Sequence, residues 1–175
     1  MATSKQDPVR VERAAEHLIT YAFEKEGIRN ILSLIPASEE INPVGLEYEI
    51  QLLKIITVGW GISFFMENRK EKQALSVSFW NGVQAFCQNI DSVTALMIPA
   101  SIDYFQTIHQ RLETYLEALQ QQSEATDPAM VFGPAYARCC HQADNIHVIM
   151  AGNRVFTGAL QAVREYLADL VLEPA

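Results

Sequence analysis

The chain has 175 residues, room for one domain with a sizeable core, and its 49% hydrophobic and 19% charged content is that of a globular protein, not a disordered one. A formal net charge of -8 excludes a broad nucleic-acid footprint, which needs clustered Lys and Arg. The three cysteines Cys87, Cys139 and Cys140, two of them adjacent, and a start without an apolar signal region point to a reducing compartment, so a cytoplasmic protein is expected.

Residues 1–8 read as a flexible N-terminal arm and 9–175 as a single helical domain. Asp7 and Pro8 predict a helix start, with Asp7 as N-cap and Pro8 at the first helical position. Val11, Ala15, Leu18, Ile19 and Ala22 follow as an apolar stripe at helical spacing. Gly27 ends or bends that helix, and Ile28, Ile31, Leu32 and Ile35 carry an apolar face to Pro36. Pro36 to Asn42, PASEEIN, is a loop.

Pro43 to Met66 is the most apolar stretch, and the remaining elements are read as packing around it. Asn42 suits an N-cap and Pro43 a first helical position. Leu46, Ile50, Leu53 and Trp60 fall on one side of a helix, and Tyr48, Leu52, Ile55 and Ile62 on another. A helix apolar all round is a buried one. The small pairs Thr57/Gly61 and Gly59/Ser63 leave room for other helices. The competing reading is α+β, with strands in 46–64, because Ile56, Val58, Trp60, Ile62 and Phe64 alternate with small residues. A membrane span is not expected, since Lys54 interrupts a run shorter than the roughly 20 residues a bilayer needs.

Gln73 to Ile90 carries no charge and predicts a second heavily buried helix, with Phe79, Val83, Phe86 and Ile90 on its inner face. Asp91 or Ser92 caps the next segment, and Pro99 kinks or breaks it. Phe105, Ile108, Leu112, Tyr115 or Leu116, and Leu119 form a further helix face, with His109, Arg111, Glu113 and Glu117 on its polar side. After the polar linker 120–127, Gly133-Pro134 punctuates the chain and Pro134 begins a helix that ends at Gly152-Asn153. Phe156, Leu160, Val163, Leu167 and Leu170 form the last and most regular seam. The expected fold is all-α: a single-domain bundle of five or six helices around a buried central one.

Cys140, Asp144 and His147 stand at i, i+4 and i+7, one face of a helix, and offer sulfur, carboxylate and imidazole to zinc or iron. A metal site usually takes four ligands and no second cluster is visible, so packing cysteines beside solvated Asp and His is the simpler account. The di-iron pattern would need two Glu-x-x-His motifs, and only Asp144-x-x-His147 comes near. His17 or His147 are the residues that a haem would have to use. Vicinal Cys139-Cys140, beside Arg138 and His141, is a candidate redox pair. Catalytic support is weaker. There is no nucleophile elbow, phosphate loop, zincin helix or dinucleotide fingerprint, and the acid pairs Glu39/Glu40 and Glu47/Glu49 read as solvated. His109 with Glu113 is the remaining acid–base pair. Two strongly apolar helices in so few elements leave a surplus of apolar surface.

The expected function is therefore non-enzymatic: binding a protein partner, and a second copy of itself, through a surface that includes Trp60, Phe64, Trp80 and Phe86. No cofactor is expected. The alternative is a small-ligand, metal or haem sensor with its pocket among Trp60, Trp80 and the Cys140/Asp144/His147 face.

Overall fold

The computed structural model describes residues 6–95, 103–125 and 127–172. They form the helices α1 (Gln6–Phe23), α2 (Glu26–Leu32), α3 (Pro43–Phe65), α4 (Lys72–Ala95), α5 (Tyr104–Gln121), α6 (Ala129–Cys139) and α7 (Ile146–Leu172), with no strand among the described residues. The fold is an all-α bundle. Six of its helices have 11 residues or more, and α2 adds a short one of 7.

The start of α3 follows from two residues. Asn42 is in an extended conformation, and its side-chain oxygen accepts from the backbone N–H groups of Val44 and Gly45, both at 3.1 Å. Pro43 has no N–H to leave unsatisfied in the first turn. From Ile50 to Gly59 every residue of α3 is buried, because α1, α2, α4, α5, α6 and α7 all pack against it. This overturns the strand reading of 46–64. Large and small residues alternate because helices cross the central one on several sides, not because one face meets solvent. Gly59 takes the Trp80 ring of α4. A Cβ on Gly61 would lie 3.0 Å from Val163 Cγ1 of α7. The helices that come close at these two glycines belong to this chain.

Glycine also explains the differences in the C-terminal half. Gly133 and Gly152 lie inside α6 and α7, where the sequence reading made them punctuation. A Cβ on Gly152 would stand 2.6 Å from Tyr136 Cδ1, and one on Gly133 would run into Asn153 Oδ1 and lie 2.7 Å from the Ile149 carbonyl oxygen. Both positions let α6 and α7 approach closely. Helix α7 is thus continuous from Ile146, and the side chain of the preceding Asn145 accepts from the His147 N–H at 3.1 Å. Its seam holds as expected, with Phe156, Val163 and Leu167 buried.

Other boundaries move. Helix α1 begins at Gln6, so Asp7 and Pro8 lie within its first turn. Helix α4 runs through Asp91 and Ser92, so no helix begins there. Its inner face is Leu75, Phe79, Val83 and Cys87, with Phe86 turned to its flank. Pro99 lies outside the described residues.

Candidate functional site

The proposed metal ligands do not share a helix. Cys140 is the C-cap of α6, His141 turns the chain with φ 56°, Asp144 lies in the following turn, and His147 is in the first turn of α7. The reversal is a Schellman closure: His141 N–H donates to the Arg138 carbonyl and Gln142 N–H to the Ala137 carbonyl, at 3.0 and 2.8 Å. Asp144 and His147 are exposed while Cys140 is half-buried. Among the described residues no three His, Cys, Asp or Glu side chains gather as metal ligands. The remaining imidazoles are also on the outside. His17 is exposed, with Nδ1 3.1 Å from the Tyr166 hydroxyl. His109 and Glu113 are exposed on α5, the His109 ring edge-on to Phe105.

The four aromatic candidates do not form one surface. Trp60 stacks on Phe64 at 5.2 Å and packs inward on Phe132 and Phe156, leaving Phe64 57% exposed. Trp80 covers Gly59. Phe86, further along α4, is 41% exposed and lies against Phe23 of α1 with ring centroids 3.9 Å apart.

The sequence reading placed Glu49 and Arg111 in solvent, and the structure buries their contact. Glu49 is 8% exposed and meets Arg111 in two parallel hydrogen bonds of 2.7 and 2.6 Å. Around this pair lie Tyr115, Tyr136, Cys139 and Cys140, whose side chains interact with it electrostatically. Tyr136 donates to the Leu46 carbonyl at 3.3 Å. The hydrogen bonds and charge of Glu49 hold the guanidinium of Arg111 in its protonated form. Burial raises both thiols, Cys140 to about 12. A reactive cysteine needs its thiolate, so this pocket opposes the redox reading of the vicinal pair.

Two more polar side chains of α3 reach the C-terminal end of α1. Lys54, 6% exposed, donates to the Glu24 carbonyl at 2.9 Å and lies over the Tyr21 ring at 4.2 Å. Burial lowers its pKa. A cation here also meets the negative end of the α1 dipole. Gln51, 9% exposed, donates through Nε2 to the Ala22 carbonyl. Its Oε1 is buried and has no hydrogen-bond partner among the described residues. Such an orphan costs about 1–3 kcal/mol.

Gln51 borders a groove of about 460 Å³ between the end of α1, α3, α4 and the start of α5. Val44, Tyr48, Leu52 and Ile55 supply its α3 wall, Phe86, Cys87 and Ile90 its α4 wall, and Tyr104 and Ile108 its α5 wall. Helical periodicity accounts for the first wall: 44, 48, 51 and 55 recur at spacings of 4, 3 and 4. Lys25 and Glu47 stand at one edge, 3.5 Å apart, and the same Glu47 carboxylate meets Arg29 at 3.7 Å. Of the aromatic candidates only Phe86 borders this groove. Gln51 and the remaining walls were missed; the 44/48/51/55 stripe was the available signal.

No protein-family model, curated protein or solved structure matches the chain. No described helix is long and apolar enough to cross a membrane.

Proposed function

We propose that this chain is a binding protein that takes a small apolar ligand into the groove between α3, α4 and α5. The observation that carries this reading is an open groove with largely apolar walls between α3, α4 and α5. Its volume of about 460 Å³ falls in the range of small-molecule sites, about 300–1,000 Å³. A few polar groups in an apolar wall are the composition such sites use. The test is titration with the fluorescent apolar probe N-phenyl-1-naphthylamine. One probe per chain should bind, and Leu52→Trp, which fills the groove, should weaken binding at least tenfold with an unchanged circular dichroism spectrum. Equal binding by the folded variant overturns the reading.

A second reading, self-association, rests on a different patch. Leu34, Ile146 and Met150 are exposed, and Leu34 and Met150 border one hollow with Ile31, Ile35, His147 and Arg154. That hollow has no acidic lining residue, so in a chain of net charge -8 it is a place where two copies meet with little carboxylate repulsion. Sedimentation of the wild type should give a dimer, and Leu34→Glu with Met150→Glu a monomer. A wild-type monomer removes this reading.

A further inference from the structure

We infer that the hollow where α1, α3, α4 and α7 meet is a second ligand site, and that it takes an apolar monocarboxylate through Arg69 and Arg10. The hollow measures about 360 Å³, within the roughly 300–1,000 Å³ of small-molecule sites. It shares no lining residue with the groove between α3, α4 and α5, so the two sites stand or fall separately. Its floor is apolar. Ala14, Met66 and Leu75 are buried there, and Val11 and Leu170 are half-buried at its sides.

The charged lining sets the sign of the ligand. Two cations, Arg10 and Arg69, border the hollow against one anion, Glu71, in a chain whose net charge is -8. Both arginines are half-buried, whereas Glu71 is exposed. The ion pairs among the described residues are Lys25–Glu47, Arg29–Glu47 and Arg111–Glu49, so none of the three is paired there. Arg69 is held in place. Its Nη1 donates to the Leu167 carbonyl at 3.3 Å, one turn before Leu170 of the wall. The side chain thus reaches from the turn after α3 to α7, and its other N–H groups have no partner among the described residues. A guanidinium presents N–H pairs that match the two oxygens of a carboxylate. Helix dipoles do not decide the sign, because α4 begins beside this hollow while α3 and α7 end there. A dicarboxylate would set its second charge against the apolar floor or Glu71, which limits the ligand to one anionic group. The other hollow of about 360 Å³, which α2 and α7 border, balances Glu24 and Glu26 against Lys54 and Arg154 and selects no sign.

The experiment is calorimetric titration of the full chain with octanoate, 1-octanol and octylammonium at one ionic strength. The alcohol is more hydrophobic than octanoate, so a purely apolar hollow would prefer it. One octanoate should bind per chain, about tenfold more tightly than the alcohol, because hydrogen bonds to charged groups are the stronger ones. Octylammonium should bind most weakly. Arg69→Gln should lose the preference for octanoate over the alcohol, and Arg10→Gln should reduce it. Leu52→Trp, which fills the other groove, should bind octanoate as the wild type does. Octanoate that binds no more tightly than 1-octanol overturns the inference, as does a folded Arg69→Gln that keeps the preference. Loss of octanoate binding in Leu52→Trp assigns the ligand to the other groove and overturns it as well. Should Arg69→Gln fail to fold, the wild-type comparison and Arg10→Gln decide, and an unreduced preference in Arg10→Gln then overturns it.

Discussion

The two faces of α3 solve opposite packing problems. One face, with Leu46, Glu49, Leu53 and Trp60, is sealed by α5, α6 and α7. There Tyr115, Phe132 and Phe156 stack in sequence, with centroids 5.2 and 4.2 Å apart, and the Glu49–Arg111 pair is enclosed among two tyrosines and two cysteines. The other face, with Val44, Tyr48, Gln51 and Ile55, looks into a groove. Both faces are apolar in sequence. What separates them is the neighbour. On the sealed side, aromatic rings fill the space between α3, α6 and α7, and glycines bring α6 onto α7. On the open side the Trp80 ring of α4 packs on Gly59, and toward the start of α3 the helices border the groove.

Removing one partner of the enclosed pair should have the largest effect. Glu49→Ala leaves the Arg111 cation partly buried without its anion, and unpaired charges of this kind cost about 3–5 kcal/mol. The double change Glu49→Leu with Arg111→Met should lose clearly less, since it removes both charges and keeps volume. Urea unfolding of the wild type and the two variants reads this directly. If Glu49→Ala costs under 1 kcal/mol, the face is not sealed.

Added volume sharpens the contrast. Gly133→Ala places a methyl group against Asn153 and the Ile149 carbonyl, where α6 would have to move off α7, so a loss of about 1–3 kcal/mol is expected. Leu52→Phe adds more atoms but next to the groove, and should change stability by less than about 1 kcal/mol. Equal losses in thermal unfolding would mean that the groove is as tightly filled as the α6–α7 crossing.

This contrast also marks what the sequence could disclose. Asn42-Pro43 fixed the start of α3 through local capping, and an all-round apolar pattern announced its burial. Helical periodicity gave the α7 seam for the same reason: neighbours on one helix face are set by the chain itself. Glu49 was misread because its partner lies 62 residues away, beyond any local pattern. Gly133 and Gly152 were misread because a glycine that stops a helix and one that lets a second helix approach look alike until the second helix is placed. The groove was invisible because a space between α3, α4 and α5 depends on their relative positions, and residue periodicity specifies only the face each presents. The helix that would have aligned Cys140, Asp144 and His147 ends before His141, whose φ is positive.

A further predicted effect is pH-dependent and belongs to the sealed face. Cys140 stays protonated in the folded chain up to about 12, whereas an unfolded thiol ionises near 8.5. Between these values the unfolded chain binds fewer protons than the folded one, so the stability associated with Cys140 is intact below pH 8.5 and is lost as pH rises above it. The slope is at most about 1.4 kcal/mol per pH unit for one group. Cys139 and the buried tyrosines Tyr115 and Tyr136 add in the same sense, the tyrosines from about pH 10 upward. Lys54 acts oppositely: its lowered pKa means that the folded chain releases its proton first, so stability gains as pH climbs toward the ordinary lysine value. The informative quantity is therefore the difference between wild type and Cys140→Ala, in which Lys54 and the tyrosines largely cancel. From pH 8 to 10 by urea unfolding, the wild type should lose about 1–2 kcal/mol relative to the variant. Parallel curves would mean that solvent reaches Cys140 as freely as it reaches an unfolded thiol, and the sealed face would then open beside the pair it encloses.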